Sequence, residues 1–149
     1  MKVQRIDHVS IIVNDLPAAK AFFLDLGLEL QGEFSLEGEW VDRVVGLSGV
    51  KTDNVMLQTP DRQVSLELSK FHTPLDEKGI QPPLANTLGI RHIAFVVEDI
   101  EAVVAKMKKK GMETFSDIQN YENIYKLCYV RGPEGIILEL AEQIKQSKQ

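Results

Sequence analysis

Two histidines and two glutamates occupy matched places in the two halves of this chain. His92 follows His8 by 84 positions, and Glu139 follows Glu67 by 72 positions. Imidazole nitrogens and carboxylate oxygens on rigid strands form a mixed donor set that suits Zn²⁺, Ni²⁺, Co²⁺, Mn²⁺ or Fe²⁺. A metal with open positions can polarise a carbonyl or enediolate oxygen while a nearby glutamate moves a proton at the adjacent carbon. The four residues predict a divalent-metal site in which Glu67 and Glu139 are the candidate catalytic groups.

An internal repeat fixes the places of these residues. The segment 6–29, IDHVSIIVNDLPAAKAFFLDLGLE, resembles 90–113, IRHIAFVVEDIEAVVAKMKKKGME, without a gap, and VSLEL at 64–68 resembles IILEL at 136–140. Repetition of this kind decides architecture. We therefore predict a single domain over 1–149, built from modules at 4–70 and 89–142 and joined by a linker rich in Pro and Gly at 71–88. The matched histidines are 84 positions apart, but the matched glutamates are only 72 positions apart. The first module therefore carries an insertion between its histidine and its glutamate, which we place at 35–53.

The hydrophobic pattern predicts the order βαβββ in each module, and hence an α+β fold. A strand with period two carries each histidine, an aspartate caps the following helix, and a glycine ends it. Three further strands follow each helix, at 28–34, 54–59 and 63–69 in the first module and at 113–116, 124–130 and 135–141 in the second. Alternation along these strands places His8, Glu67, His92 and Glu139 on the face of the sheet that is turned away from the helices.

Composition limits the class of protein. The chain of 149 residues has a net charge of −5 and no apolar stretch that approaches 18 residues, and its N-terminus lacks the pattern of a signal peptide. These features argue against nucleic acid and membranes as partners. Cys128 is the single cysteine, so an intrachain disulfide is excluded and a reducing compartment is expected. We predict a cytoplasmic protein that acts on a small molecule.

The same residues carry a family resemblance. The motifs RIDHVSIIVNDL and GIRHIAFVVEDI, an LEL in each half and GPEG before the last strand resemble the vicinal oxygen chelate superfamily. Its members include glyoxalase I, methylmalonyl-CoA epimerase, fosfomycin-resistance proteins, extradiol dioxygenases and bleomycin-binding (bleomycin resistance) proteins. The resemblance covers residues 4–142 and implies a cupped, eight-stranded mixed sheet around a divalent metal, with the helices on the convex face. His8, Glu67, His92 and Glu139 match the four-ligand pattern of the glyoxalase I branch.

The resemblance implies a metal-dependent lyase or isomerase that uses proton abstraction and enediolate stabilisation on a small α-hydroxy carbonyl or thioester substrate. Two alternatives stay open at this point. An extradiol-type Fe²⁺ dioxygenase would use His8, His92 and Glu139 and leave Glu67 surplus, and a non-catalytic binding or resistance protein would sequester a small molecule. Family members pair their modules within one chain or across a dimer, and a homodimer is our prediction here.

Several other reactive side chains are expected to have structural roles. The insertion at 35–53 includes residues that could form a short helix. This segment could be a lid over the substrate, an ordinary packed loop or a subunit contact. Arg43 within it is expected to form a surface salt bridge. His72 lies outside the repeat and is expected to be structural. At least one of Tyr121, Tyr125 and Tyr129 is expected to line the site.

Overall fold

The computed structural model describes residues 1–145 as eight β-strands and three α-helices. These elements form two compact units, Met1–Gly79 and Ile80–Gln149, and the boundary between them falls inside the linker predicted at 71–88. Each unit contains one βαβββ module and one four-stranded mixed sheet, and the first unit has one additional helix. The α+β class and the order βαβββ in two modules are confirmed.

The first module has six elements along the chain: β1 (His8–Ile12), α1 (Leu16–Leu26), β2 (Glu29–Glu37), α2 (Glu39–Val45), β3 (Lys51–Gln58) and β4 (Ser65–Thr73). Its strand order is β1-β4-β3-β2. Strand β1 runs parallel to β4, whereas β3 is antiparallel to both of its neighbours. The strand that carries Glu67 is therefore paired on both sides, which holds that residue on a rigid backbone.

Local sequence explains why α1 forms where it does. The side chain of Asp15 accepts a hydrogen bond of 3.0 Å from the backbone N–H of Ala18, and Pro17 lies in the first turn. Gly27 ends the helix with φ at 118°, a conformation that glycine adopts without steric cost. Helix α1 contacts β3 and β4 and buries Phe22 and Phe23 there. One face of the sheet is thereby covered by the helix.

The second module repeats this plan with five elements: β5 (His92–Val96), α3 (Ile100–Lys109), β6 (Gln119–Tyr121), β7 (Tyr125–Arg131) and β8 (Ile137–Gln143). The strand order β5-β8-β7-β6 matches that of the first module, again with a parallel pair at one edge. Helix α3 buries Ile100, Val104 and Met107, and it contacts β8. Leu138 and Leu140 of that strand are fully buried.

One local prediction needs correction. The strand predicted at 113–116 is reduced to an isolated bridge between Thr114 and Val130, and the edge strand β6 lies further along. The reason is local, because Ser116 and Gln119 hydrogen-bond to the carbonyl of Asp117 and bend the chain. In the insertion predicted at 35–53, β2 extends to Glu37 and β3 begins at Lys51, so the new element is α2 alone. The short helix expected there is confirmed.

No helix within the described range 1–145 is both long enough and apolar enough to cross a bilayer.

Candidate functional site

Glu67 lies at the centre of the first sheet, on the face opposite α1. It is paired with Ser10 of β1 on one side and with Met56 of β3 on the other. Its neighbours along the strand, Leu66 and Leu68, are buried on the helix side, as alternation predicts. The hydroxyl of Ser10 donates to the carboxylate oxygen Oε1 at 3.1 Å. The single hydroxyl proton of Ser69 is shared in a three-centre hydrogen bond, with its shorter branch to Asn54 Oδ1 at 2.7 Å and its longer branch to the same Oε1 at 3.2 Å. Both of these contacts are made by Oε1.

His8 lies on the same face of the first sheet. It is two residues before Ser10, and its register partner Ser65 is two residues before Glu67. Its Nδ1 lies 2.8 Å from Oδ2 of Asp7, and this hydrogen bond, followed by the nearby Arg5, lowers the pKa of the Asp7 carboxyl. A carboxylate at Nδ1 favours the tautomer with the proton there, so Nε2 keeps a lone pair for a metal.

His92 and Glu139 form the matching pair in the second module. Their register repeats that of the first module, because His92 is opposite Ile137 and Glu139 is opposite Ala94. Nε2 of His92 lies 3.9 Å from Oε1 of Glu139, and the two side chains are 35% and 24% exposed. A separation of 3.9 Å is too long for a hydrogen bond.

The spacing of this second pair allows a test of the metal implied by the resemblance. Two donors that each lie about 2.0–2.2 Å from one ion are at most about 4.4 Å apart. The distance of 3.9 Å between His92 Nε2 and Glu139 Oε1 falls within that limit, and both atoms are donors that Zn²⁺, Ni²⁺ and Fe²⁺ accept. In the first module the free Oε2 of Glu67 and the Nε2 of His8 offer the same two donor types. His92 and Glu139 are therefore spaced as two ligands of one divalent ion would be, and His8 and Glu67 match them in donor type.

An aromatic and cationic cluster flanks the second pair. Tyr129 of β7 is the register partner of Glu139, and its ring lies 4.9 Å from that of His92. Phe115 packs edge-on against Tyr129 at 5.8 Å, and the Arg131 guanidinium lies 4.7 Å from the Phe115 ring. Nη1 of Arg131 also donates to the carbonyls of Pro83 and Gly135. Of the three tyrosines considered from the sequence, Tyr129 is the one placed beside the predicted ligands.

A second group of acidic residues lies at the start of α3. One carboxylate oxygen from each of Asp99, Glu101 and Glu142 lies within 4.8 Å of the others. Asp99 caps the helix, Glu142 accepts a hydrogen bond of 2.9 Å from the backbone N–H of Ile100, and Lys126 lies 3.1 Å from Glu101. The hydrogen bond with Lys126 lowers the pKa of Glu101, and the same contact raises the pKa of Lys126. These contacts describe a capped and neutralised helix start.

The residues that are expected to have structural roles, His72 and Arg43, pair with acidic side chains. Nε2 of His72 lies 2.7 Å from Oδ2 of Asp53. The other carboxylate oxygen of Asp53, Oδ1, accepts a hydrogen bond from the hydroxyl of Ser35. The hydrogen bonds from Ser35 and His72 lower the pKa of Asp53. Arg43 pairs with Glu39 one helical turn away, at 3.6 Å on an exposed surface. A surface salt bridge at Arg43 is confirmed.

Sequence reasoning did not assign roles to several side chains around the four predicted ligands. Alternation along β1 and β4 puts Ser10 and Ser69 on the face of Glu67, but the contact between Ser10 and Glu67 depends on the pairing of β1 with β4. Asn54, which contacts Ser69, was not singled out. The sequence does show polar residues at alternate positions of these strands. Which of them meet depends on the register between the strands, and that register comes only from the structure.

The two modules and their matched His and Glu residues define a class of protein. The model of the glyoxalase/bleomycin resistance protein/dioxygenase superfamily matches residues 7–129. The chain belongs to this superfamily, whose members bind small molecules and often divalent metals.

Individual relatives agree with that membership. A solved structure of a glyoxalase family protein from Bacillus cereus is 41% identical, with a TM-score of 0.93 and coverage of 97% of each chain. A glyoxalase family protein from Enterococcus faecalis is 26% identical, with a TM-score of 0.64 over 93% of this chain and 98% of its own. The uncharacterized protein YaeR of Escherichia coli K12 is 28% identical over 95% of this chain and 98% of its own length.

Proposed function

We propose that this protein is a metal-dependent lyase or isomerase of the glyoxalase type. In this proposal a divalent ion is held by His8, Glu67, His92 and Glu139. The observation that carries it is the pair formed by His92 and Glu139, which are too far apart to bond to each other and close enough to share one ion. The kinship with glyoxalase family proteins supports the same class of reaction.

Each module supplies one histidine and one glutamate, which is half of the proposed ligand set. The register supports this pairing, because in both modules the histidine lies two residues before the residue opposite the glutamate. The two halves of the site are proposed to combine within one chain or across a homodimer. Four ligands from rigid strands leave open positions on an ion that prefers six, and a substrate oxygen can occupy them.

The two glutamates differ in how firmly they are held. Glu67 Oε1 accepts a hydrogen bond from Ser10 and the longer branch of the three-centre bond of Ser69. Among residues 1–145, the polar contact recorded for the Glu139 carboxylate is the 3.9 Å approach of His92 Nε2. A base must move between its resting position and the substrate carbon, and a carboxylate without fixed donors moves at lower cost. We therefore assign proton transfer to Glu139 and the role of a fixed ligand to Glu67.

The remaining chemistry follows from these roles. The divalent ion, when bound, supplies Lewis-acid stabilisation of the enediolate oxygen. Glu139 accepts the proton from the carbon beside the carbonyl and returns it to the neighbouring carbon, which is an isomerisation of the glyoxalase type. Epimerisation would instead require a second acid to protonate the opposite face of the same carbon, because a single base returns the proton to the face from which it came. The rings of Tyr129 and Phe115 beside His92 offer an apolar wall for the substrate.

The test compares Glu139→Gln with Glu67→Gln in metal-loaded protein. The assays are isomerisation of the hemithioacetal of methylglyoxal and a thiol, epimerisation of an α-substituted thioester, and oxygen uptake with a catechol. We expect isomerase or epimerase activity that falls about 10²–10⁴-fold in Glu139→Gln at saturating metal, the range for loss of a general base.

Metal content is measured on the same samples by mass spectrometry. Glu67→Gln is expected to bind metal more weakly, but to keep more activity than Glu139→Gln when it is fully loaded with metal. Full activity in a Glu67→Gln/Glu139→Gln double variant would refute proton transfer by either glutamate. Oxygen uptake with a catechol in place of proton transfer would assign the protein to the dioxygenase class instead.

A further inference from the structure

A row of buried polar side chains crosses the first sheet on the face that carries Glu67. Thr52, Asn54 and Ser69 are 6%, 4% and 3% exposed. Ser69 Oγ donates to Asn54 Oδ1 at 2.7 Å, and Asn54 Nδ2 donates to Thr52 Oγ1 at 2.9 Å and to the carbonyl of Phe34 at 3.3 Å. Polar side chains are costly to bury, and hydrogen bonds such as these offset that cost. The row is a connected network.

The network ends at the carboxylate of Glu67. Ser69 Oγ lies 3.2 Å from Oε1 of Glu67, the same oxygen that accepts from Ser10 at 3.1 Å. The amide of Asn54 is oriented by the Phe34 carbonyl, because only its NH₂ group can donate there. With the Asn54 oxygen directed at Ser69, the one Ser69 proton forms a three-centre hydrogen bond whose shorter branch goes to Asn54 Oδ1 and whose longer branch goes to Glu67 Oε1. A chain of contacts therefore runs from the backbone of β2 to one oxygen of the carboxylate.

The second module provides an internal comparison. Glu139 has Ala94 at the place of Ser10, and its strand has Ala141 paired with Leu127 where β4 has Ser69 paired with Asn54. The same sheet topology forms in both modules. The polar row is therefore not a requirement of the fold, and its presence in one module needs a reason other than sheet formation.

We propose that Ser69 and Asn54, together with Ser10, are positioning residues that hold Glu67 as a fixed metal ligand. This inference rests on the proposed function. In this proposal the network engages Oε1 and leaves Oε2 available to an ion. Such outer contacts commonly change metal affinity about 10–100-fold, because they reduce the freedom that a ligand loses on binding.

The experiment measures the affinity for Co²⁺ by competition with a chromophoric chelator, on full-length protein stripped of metal. The variants are Ser69→Ala, Asn54→Leu and the pair Ser10→Ala/Ser69→Ala, which give the first module the residue types of the second. Ser69→Thr keeps the hydroxyl and serves as the conservative rescue. Ser35→Ala is the matched control, because it removes a hydroxyl that bonds to another carboxylate of the same sheet, Asp53, at 2.6 Å.

We expect Ser69→Ala to weaken Co²⁺ binding about tenfold and the double variant to approach a hundredfold, in the range that loss of outer contacts produces. Ser69→Thr and Ser35→Ala should bind like the unaltered protein. The visible absorption of bound Co²⁺ should change in the double variant, because the geometry at Glu67 changes. Thermal unfolding of the metal-free variants shows whether each remains folded. If a variant at the buried Ser69 or Asn54 does not fold, the single Ser10→Ala variant replaces it, because Ser10 is exposed and donates to the same oxygen of Glu67, and an unchanged Co²⁺ affinity in Ser10→Ala would then refute the positioning role.

The outcomes separate the two proposals. If the unaltered protein binds Co²⁺ and the Ser10→Ala/Ser69→Ala protein binds it with equal affinity and an equal spectrum, the positioning role is wrong while the metal site stands. If the unaltered protein binds neither Co²⁺ nor Ni²⁺, Zn²⁺, Mn²⁺ or Fe²⁺, both the metal site and the positioning role are wrong.

Discussion

Replacing His92 by Ala should remove most of the stabilisation that a divalent metal gives to this protein. His92 Nε2 lies 3.9 Å from Glu139 Oε1, and its ring packs against Tyr129 at 4.9 Å. His72 is the matched control, because it is also an exposed strand histidine but bonds to Asp53 outside the predicted site. The metal-free His92→Ala and His72→Ala proteins should both fold, since neither ring lies in a core.

The magnitude follows from linkage between binding and folding. A ligand present at 100 times its Kd stabilises the folded state by about 2.7 kcal/mol. For a chain of this length, that corresponds to a rise in Tm of roughly 5–10 °C. If loss of one of four ligands weakens binding about a hundredfold, the same metal concentration equals the new Kd and the stabilisation falls to about 0.4 kcal/mol. The shift in Tm then falls to roughly 1 °C.

The assay is thermal unfolding with and without Ni²⁺ or Zn²⁺, at a concentration set from the Kd of the unaltered protein. His72→Ala should keep the full shift in Tm, and His92→Ala should lose nearly all of it. An equal shift in both variants would show that the ion binds elsewhere, and it would refute the reasoning built on the spacing between His92 and Glu139.

Three further predictions concern stability and reactivity. Phe23→Ala should lower the free energy of unfolding in urea by about 3–5 kcal/mol, because the ring is fully buried under α1, and a loss below about 1 kcal/mol would contradict that packing. Glu142→Ala should cost about 1–3 kcal/mol in the same assay, since it removes the acceptor of the N–H of the buried residue Ile100, and an unchanged midpoint would show that this bond is replaced. Cys128 should react slowly with iodoacetamide at pH 8 in folded protein and rapidly in urea, because burial raises the pKa of its thiol, and equal rates would contradict its burial.

Much of the fold could be predicted because its signals are local. Asp15 and Asp99 each cap a helix within three residues, and each LEL strand alternates between a buried face and a site face. The repeat then indicated equivalent places for the histidines and the glutamates. These features depend on neighbours in the sequence, so one chain is enough to find them.

The features that sequence reasoning missed depend on distant neighbours. Asn54 and Ser69 are 15 residues apart and meet only because β3 and β4 pair in one register. The segment at 113–116 alternates like a strand, but the hydrogen bonds that Ser116 and Gln119 donate to the Asp117 carbonyl end its pairing after one bridge. In both cases competition between hydrogen-bond partners decides the outcome, and a sequence pattern does not rank those partners.

The contrast between the polar row of the first sheet and the apolar row of the second has a consequence for engineering. One backbone plan accommodates serine and asparagine at a set of positions in one copy and alanine and leucine at the matching positions in the other. These positions are therefore places where chemistry can be rewritten while the scaffold stays intact. A library restricted to them would sample new reactions with few unfolded members, and the chain itself already contains one successful example of each choice.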